Sequence, residues 1–367
     1  MDHARRSLFS QLAGSAASYS AQKEIRINGN ENPVGPGPLA LQSILAEMGE
    51  ANRYPFNSRL GNLDILEALA AGYEVAEENV VVGSGSTEVL RNAVREFAGP
   101  ERHIVSADLT YGTPASEARK HGFPLHEIPL DDALRLDLDA MKAVAENAGL
   151  LYLCNPNNPT GTIHPADTIE SFIGEVRRIA PECLILVDEA YHDYVTDPRH
   201  RSMIPLAVRT PYVLVCRTFS KAFGIAGLRL GFGIGDENTI GALRRYQSRG
   251  GLNIMAIAAA VASLQDPDRL EKERARNTAA REATVSFFQD AGYELTDSQA
   301  NFLFVKLGIP AKEFRDACAA KGVVVGRDFP PYEKTHCRIS IGTMAEMQRA
   351  FEVFSEVLDI RSTKRSA

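Results

Sequence analysis

Runs of consecutive apolar residues alternate with amphipathic stretches through the middle of the chain. Val80-Val-Val82, His103-Ile-Val105, 150–154, 183–187 and 212–216 are short and mostly apolar, which predicts strands buried on both faces. Helical spacing fills the intervals, with helices reaching Phe97, reaching Gly122 and covering 169–179. That alternation predicts an α/β fold: a three-layer α/β/α unit around a mostly parallel sheet. The polar motifs each follow a strand: Gly83-Ser-Gly-Ser-Thr-Glu88, Tyr111-Gly-Thr-Pro114, Asn155-Pro-Asn-Asn-Pro-Thr-Gly161, Asp188-Glu-Ala-Tyr191 and Thr218-Phe-Ser-Lys221. In open parallel sheets ligands gather beyond the carboxyl ends of the strands, so these motifs are expected to converge.

Elsewhere the pattern changes. Residues 1–24 are polar and rich in Ala and Ser, and read as an arm. Residues 25–38 are dense in Asn, Gly and Pro and read as a loop. Helices are expected over 39–48 and 63–73, with Arg53-Tyr-Pro55 between them. After about residue 250, helices over 254–264 and 268–291 precede strands at Phe302-Leu-Phe-Val305, Val323-Val-Val325 and Cys337-Arg-Ile-Ser-Ile341. The expected division is an arm (1–24), a linker or part of the small domain (25–50), a large domain (51–250) and a smaller α+β domain (251–367).

The 367 residues suffice for a large core. A net charge of −7 argues against nucleic acid or an anionic membrane surface as the main partner. Cys154, Cys183, Cys216, Cys318 and Cys337 are widely spaced with no CxxC pair, so buried free thiols in a reducing compartment are expected, and no metal site. No apolar run reaches transmembrane length. Arg5-Arg6 has the form of a twin-arginine export signal, but the polar residues after it make a poor hydrophobic region, so a cytoplasmic location is expected.

The stretch 218–232 carries the most chemistry. Lys221 sits in a loop behind a strand, with the hydroxyls of Thr218 and Ser220 before it, Arg229 after it and glycines around it. By itself a lysine in such a loop is most often a solvated surface residue. An amine that forms a Schiff base, together with donors for a phosphate dianion, is also what pyridoxal phosphate requires. Asp188, at the end of an apolar strand, is either a helix cap or a buried carboxylate paired with a pyridine nitrogen. The loop 83–88 offers backbone N–H groups at a helix N-terminus, a cradle for phosphate, yet it matches neither a Walker loop nor a dinucleotide fingerprint.

Taken together, Asn155-Pro-Asn-Asn-Pro-Thr-Gly161, Asp188-Glu-Ala-Tyr191, Ser220-Lys221 and Gly227-Leu-Arg-Leu-Gly231 resemble, in order and spacing, the fold-type I pyridoxal-phosphate aminotransferases. The likeness is greatest to the histidinol-phosphate aminotransferase branch. Asn30-Glu-Asn-Pro33, Arg53-Tyr-Pro55, Gly85-Ser-Thr-Glu88, Thr110-Tyr-Gly112 and Arg338-Ile-Ser-Ile-Gly342 extend the resemblance over roughly residues 25–358. It implies that Lys221 is the Schiff-base lysine and proton shuttle, that Asp188 pairs with the pyridine nitrogen, and that Asn158 and Tyr191 contact the ring hydroxyl. It further implies phosphate contacts from Ser86, Thr87, Thr218, Ser220 and Arg229, and stacking by Tyr111. Tyr54 would reach the cofactor of a neighbouring subunit, making a homodimer the catalytic unit. Arg338, Asn32 and Arg327 would bind substrate. The branch typically places a second arginine soon after the strand at 323–325; here Gly326 intervenes and Arg327 follows.

The activity so implied is amino transfer between an amino acid or amino-phosphate, histidinol phosphate-like or aromatic, and a 2-oxo acid such as 2-oxoglutarate. The same scaffold supports a decarboxylase, lyase or oxidase, which the residues alone do not separate from a transaminase. A cofactor-binding regulatory protein would be expected to have lost one or more of the catalytic residues, and all are present.

Overall fold

A computed structural model describes residues 24–55, 65–247 and 251–360. Seven strands form the main sheet: β2 (Val80–Gly83), β3 (His103–Ala107), β4 (Leu125–Ile128), β5 (Ala148–Cys154), β6 (Leu184–Asp188), β7 (Val213–Thr218) and β8 (Gly231–Gly235). Their order is β2-β8-β7-β6-β5-β3-β4, and β8 is antiparallel to both of its neighbours while β3 to β7 pair in parallel. Strand periodicity sorts the apolar side chains onto two faces. Leu150, Leu184, Leu186 and Leu214 pack with Val89, Leu90, Ala93 and Val94 of the helix Ser86–Phe97. Leu151, Leu153, Ile185, Val187 and Val213 face the other way, onto Ile169, Phe172, Ile173 and Val176 of the helix Ala166–Ile179. Helices on both faces complete the three layers.

A second core gathers Phe288, Leu303, Val305, Phe314, Val323, Ile339 and Phe354. Its strands are β9 (Glu294–Leu295), β10 (Phe302–Lys306) and β12 (His336–Ser340), together with β11 (Val323–Val325), which pairs in parallel with β1 (Ile25–Ile27). The first three residues of the expected loop at 25–38 are therefore a strand, because Ile27 is buried in this core. The helix Ile254–Leu264, assigned from its position in the sequence to the smaller domain, contributes Ala256, Ile257, Ala259, Ala260 and Val261 to the first core instead. The arm, with Arg5 and Arg6, lies outside the described residues apart from Glu24.

Candidate active site

The carboxyl edge of the main sheet collects the polar motifs, since β2, β3, β5, β6 and β7 all end there. β8 runs in the opposite sense and begins at that edge, which brings Arg229, two residues before it, to the same place. A cavity of about 510 Å³ opens above the edge. Its lining includes Ser86, Thr87, Tyr111, Asn158, Asp188, Tyr191, Thr218, Ser220, Lys221, Arg229, Arg327 and Arg338.

Two of the residues expected at the site lie apart from this cavity. The side-chain amide of Asn32 donates to the Ala222 carbonyl at 2.9 Å, and its oxygen accepts from the Val34 N–H at 3.0 Å. That side chain clasps the lysine loop to the 30s segment, and the lining from its motif is Asn30 and Glu31. Tyr54 is 68% exposed and is not among the residues lining its own chain's cavity.

The end of the cavity beside Arg229 is built from close backbone approach. Gly85 has φ +74°, and a side chain there would collide with the Arg229 guanidinium; a side chain at Gly231 would strike the Ser86 N–H. Glycine at both positions lets arginine and strand close over the start of the helix Ser86–Phe97. No side chain caps that helix from Gly85, so its first N–H groups and the positive end of its dipole remain available to an anion. Arg229 adopts the left-handed region at φ 59°, ψ 65°, a conformation that costs a non-glycine residue about 1 kcal/mol or more and that clusters at functional sites. Its guanidinium donates to Ser220 Oγ at 3.3 Å, and the Thr218 hydroxyl accepts from the Ser220 N–H at 3.1 Å, closing the turn.

At the cavity floor Asp188 is almost fully buried. Oδ2 accepts from the Tyr152 hydroxyl at 2.8 Å and Oδ1 from the Ala190 N–H at 3.1 Å. Burial pushes this carboxyl up to about 6 against those hydrogen bonds and the Lys221 charge. Burial likewise pulls the Lys221 amine down to about 8, helped by Arg338 and Arg229 and opposed by Glu31 and Asp188. Its Nζ donates to the Gly29 carbonyl at 3.3 Å and lies 5.6 Å from the centre of the Tyr191 ring.

Farther along, Asn158 donates to the Tyr191 hydroxyl at 3.2 Å and accepts from Arg338 at 2.8 Å. A second Arg338 nitrogen donates to the Asn28 carbonyl at 2.8 Å, while Nε is buried without a partner. Arg327 and Arg338 both lie 5.0 Å from the centre of the Phe329 ring. Burial and the Arg327 charge draw the Arg338 guanidinium down to about 10, which leaves it charged at neutral pH.

Sequence reasoning missed two contributors. Asn30 takes φ 53° and reaches the Tyr191 hydroxyl at 3.1 Å; the Asn/Gly/Pro density of its segment was the available signal. Tyr152 stands within an apolar strand and gave none.

The donor set fits pyridoxal phosphate. An open helix start, two hydroxyls and a guanidinium suit a dianion, a buried carboxylate suits a ring nitrogen, and an amine of lowered basicity suits an aldehyde. No cluster of metal-binding side chains occurs among the described residues, and no helix among them is long and apolar enough to cross a membrane.

Comparison with known proteins agrees. Residues 23–354 match the model of the family described as aminotransferase class I and II. A histidinol-phosphate aminotransferase of Moorella thermoacetica is 34% identical over 338 residues, 91% of this chain and 85% of that one. An aromatic amino acid aminotransferase of Streptomyces avermitilis is 32% identical over 330 residues, 90% of this chain and 89% of that one. The crystal structure of histidinol-phosphate aminotransferase from Sinorhizobium meliloti in complex with pyridoxal-5'-phosphate superposes with a TM-score of 0.84 at 28% identity, covering 92% of this chain and 91% of that one.

Proposed function

The chain belongs to the class I and II aminotransferases and is a pyridoxal-phosphate-dependent transaminase; from that premise we propose that its amino donor is histidinol phosphate and its acceptor 2-oxoglutarate. The observation that carries the substrate reading is the pair of guanidiniums, Arg327 and Arg338, meeting at Phe329 beyond Asn158. A phosphate dianion, or the two carboxylates of 2-oxoglutarate, answers two cations better than the single carboxylate of an aromatic amino acid does. Arg338 keeps Nε in reserve for such an anion.

Bound at this site, pyridoxal phosphate supplies the electron sink for the substrate carbon that carries nitrogen. The residues do the rest. With a basicity near 8, Lys221 could take a proton from that carbon and deliver it to the carbon on the far side of the nitrogen. Asp188 would pair with the ring nitrogen, and the linked Asn158 and Tyr191 would contact the ring hydroxyl. Ser86, Thr87, Thr218, Ser220 and Arg229, which line the cavity, would hold the phosphate, and Tyr111 would lie against the ring.

The working form in this reading is a homodimer. Val34, Leu39, Leu41, Leu45 and Met48 leave large apolar side chains exposed on and beside the helix Pro38–Glu47. Leu41, Leu45 and Met48 follow at four- and three-residue steps, a stripe suited to a second copy. Tyr54, a few residues on, would then reach the partner's phosphate site. Five buried free cysteines support a cytoplasmic location.

The test is kcat/KM for histidinol phosphate and phenylalanine with 2-oxoglutarate, in the wild type and in Arg327→Ala. The expected result is preference for histidinol phosphate, reduced about 10- to 100-fold by R327A, the cost of one charge-assisted contact. Preference for phenylalanine, unaffected by R327A, would assign the site to aromatic amino acids.

A further inference from the structure

We propose that Tyr152 is a positioning residue for Asp188, its hydroxyl tethering one carboxylate oxygen so that the group stays ionised and fixed at the cavity floor. The proposal rests on the reading of Asp188 as the partner of the cofactor's ring nitrogen.

The sheet register produces the contact. β5 and β6 pair in parallel with Cys154 opposite Asp188 and Tyr152 opposite Leu186. Side chains at 152, 154 and 188 therefore share one face, and a side chain as long as tyrosine reaches the carboxylate one step along the neighbouring strand. The Tyr152 ring is fully buried in the core beneath the helix Ser86–Phe97. Phenylalanine would fill that space equally well, and a phenol hydroxyl in such surroundings needs a partner. Here it donates to Oδ2 of Asp188 at 2.8 Å.

Besides the Ala190 N–H on Oδ1, little else on the surrounding elements supports the charge. Cys154 on β5 and Cys216 on β7 stand directly opposite Asp188 on either side, and burial pushes both thiols well up, so they stay protonated and neutral. Glu189 is a like charge. Burial also raises Tyr191, so it is a neutral phenol, and Lys221 comes from the loop after β7. Desolvation dominates at Asp188, and the Tyr152 hydrogen bond is the largest influence opposing it.

The decisive variant is Tyr152→Phe, read first in the apo chain. With 13C-labelled aspartate carboxyls, and the Asp188 signal assigned through Asp188→Asn, the Asp188 titration midpoint is expected to rise by about one to two pH units, the worth of a hydrogen bond to a charged group. In the loaded protein, pyridoxal phosphate is expected to dissociate roughly tenfold faster in Y152F, with no added effect in the Asp188→Ala background, where the acceptor is gone. An unchanged Asp188 midpoint, or an equal acceleration with and without Asp188, overturns the proposal.

Should Y152F not fold, the wild type still decides. A tyrosine hydroxyl proton protected from exchange, and lost in Asp188→Ala, which removes the acceptor, is required; its absence overturns the tether. The apo titration does not depend on the cofactor. If D188N binds pyridoxal phosphate as well as the wild type does, the reading of Asp188 fails while the Tyr152 tether stands or falls on its own titration.

Discussion

Lys221 shows how burial sets chemistry at a single residue. A solvated lysine is almost fully protonated at neutral pH, whereas burial and the charges of Arg338 and Arg229 bring this amine down to about 8. Only the free amine attacks an aldehyde, so capture of pyridoxal phosphate by the apo protein is expected to speed up about tenfold per pH unit up to about 8 and then level off. Stopped-flow absorbance across that range checks it, and a rate still climbing steeply to pH 10 would contradict the lowered basicity. In stability the sign is opposite to that of a gained ion pair. The folded chain binds fewer protons than the unfolded one between about 8 and 10.5, so this group's unfavourable contribution is relieved as pH rises through that window. Lys221 and Asp188 were legible in the sequence because each is a charged group placed just after an apolar run. Tyr152 was not, because an aromatic residue inside a strand looks the same whether or not its hydroxyl has a partner.

Among the elements, the parallel strands could be read because burial on both faces leaves an uninterrupted apolar run. β8 could not: glycine at 231, 233 and 235 gives Gly-Phe-Gly-Ile-Gly the look of a loop. Packing supplies the reason for those glycines. Gly231 passes against the Ser86 N–H, and a side chain at Gly233 would crowd Val89 and Leu214 at 3.0 and 3.1 Å. The antiparallel strand, invisible to periodicity, is the one that carries Arg229 to the cavity. Gly85→Ala drives a methyl group into the Arg229 guanidinium and strains a φ of +74°. Pyridoxal phosphate affinity should fall about 10- to 100-fold while far-UV circular dichroism is unchanged. Gly99→Ala, where a side chain meets nothing within 4 Å, should bind normally. Equal affinity in the two variants would remove the helix start and Arg229 from the phosphate site.

For the whole molecule, the three layers follow from alternating strands and helices, while the partition of the helix Ile254–Leu264 into the first core depends on tertiary packing that its apolar composition does not encode. The exposed stripe along Pro38–Glu47 makes the proposed homodimer testable: Leu41→Glu with Leu45→Glu is expected to give a monomer by analytical ultracentrifugation, with transamination lost because Tyr54 would then have no partner's site to reach. A dimer that persists with full activity would place the interface elsewhere. The central claim is that this cavity moves an amino group by means of Lys221. Its most direct measurement is a single-turnover absorbance experiment on the loaded protein, adding histidinol phosphate and then 2-oxoglutarate. The account predicts conversion of the cofactor to its amine form by the first addition, full return by the second, and loss of this cycle by about 10³-fold or more in Lys221→Ala. A cofactor spectrum that ignores the donor, or a cycle that survives in K221A, would contradict it.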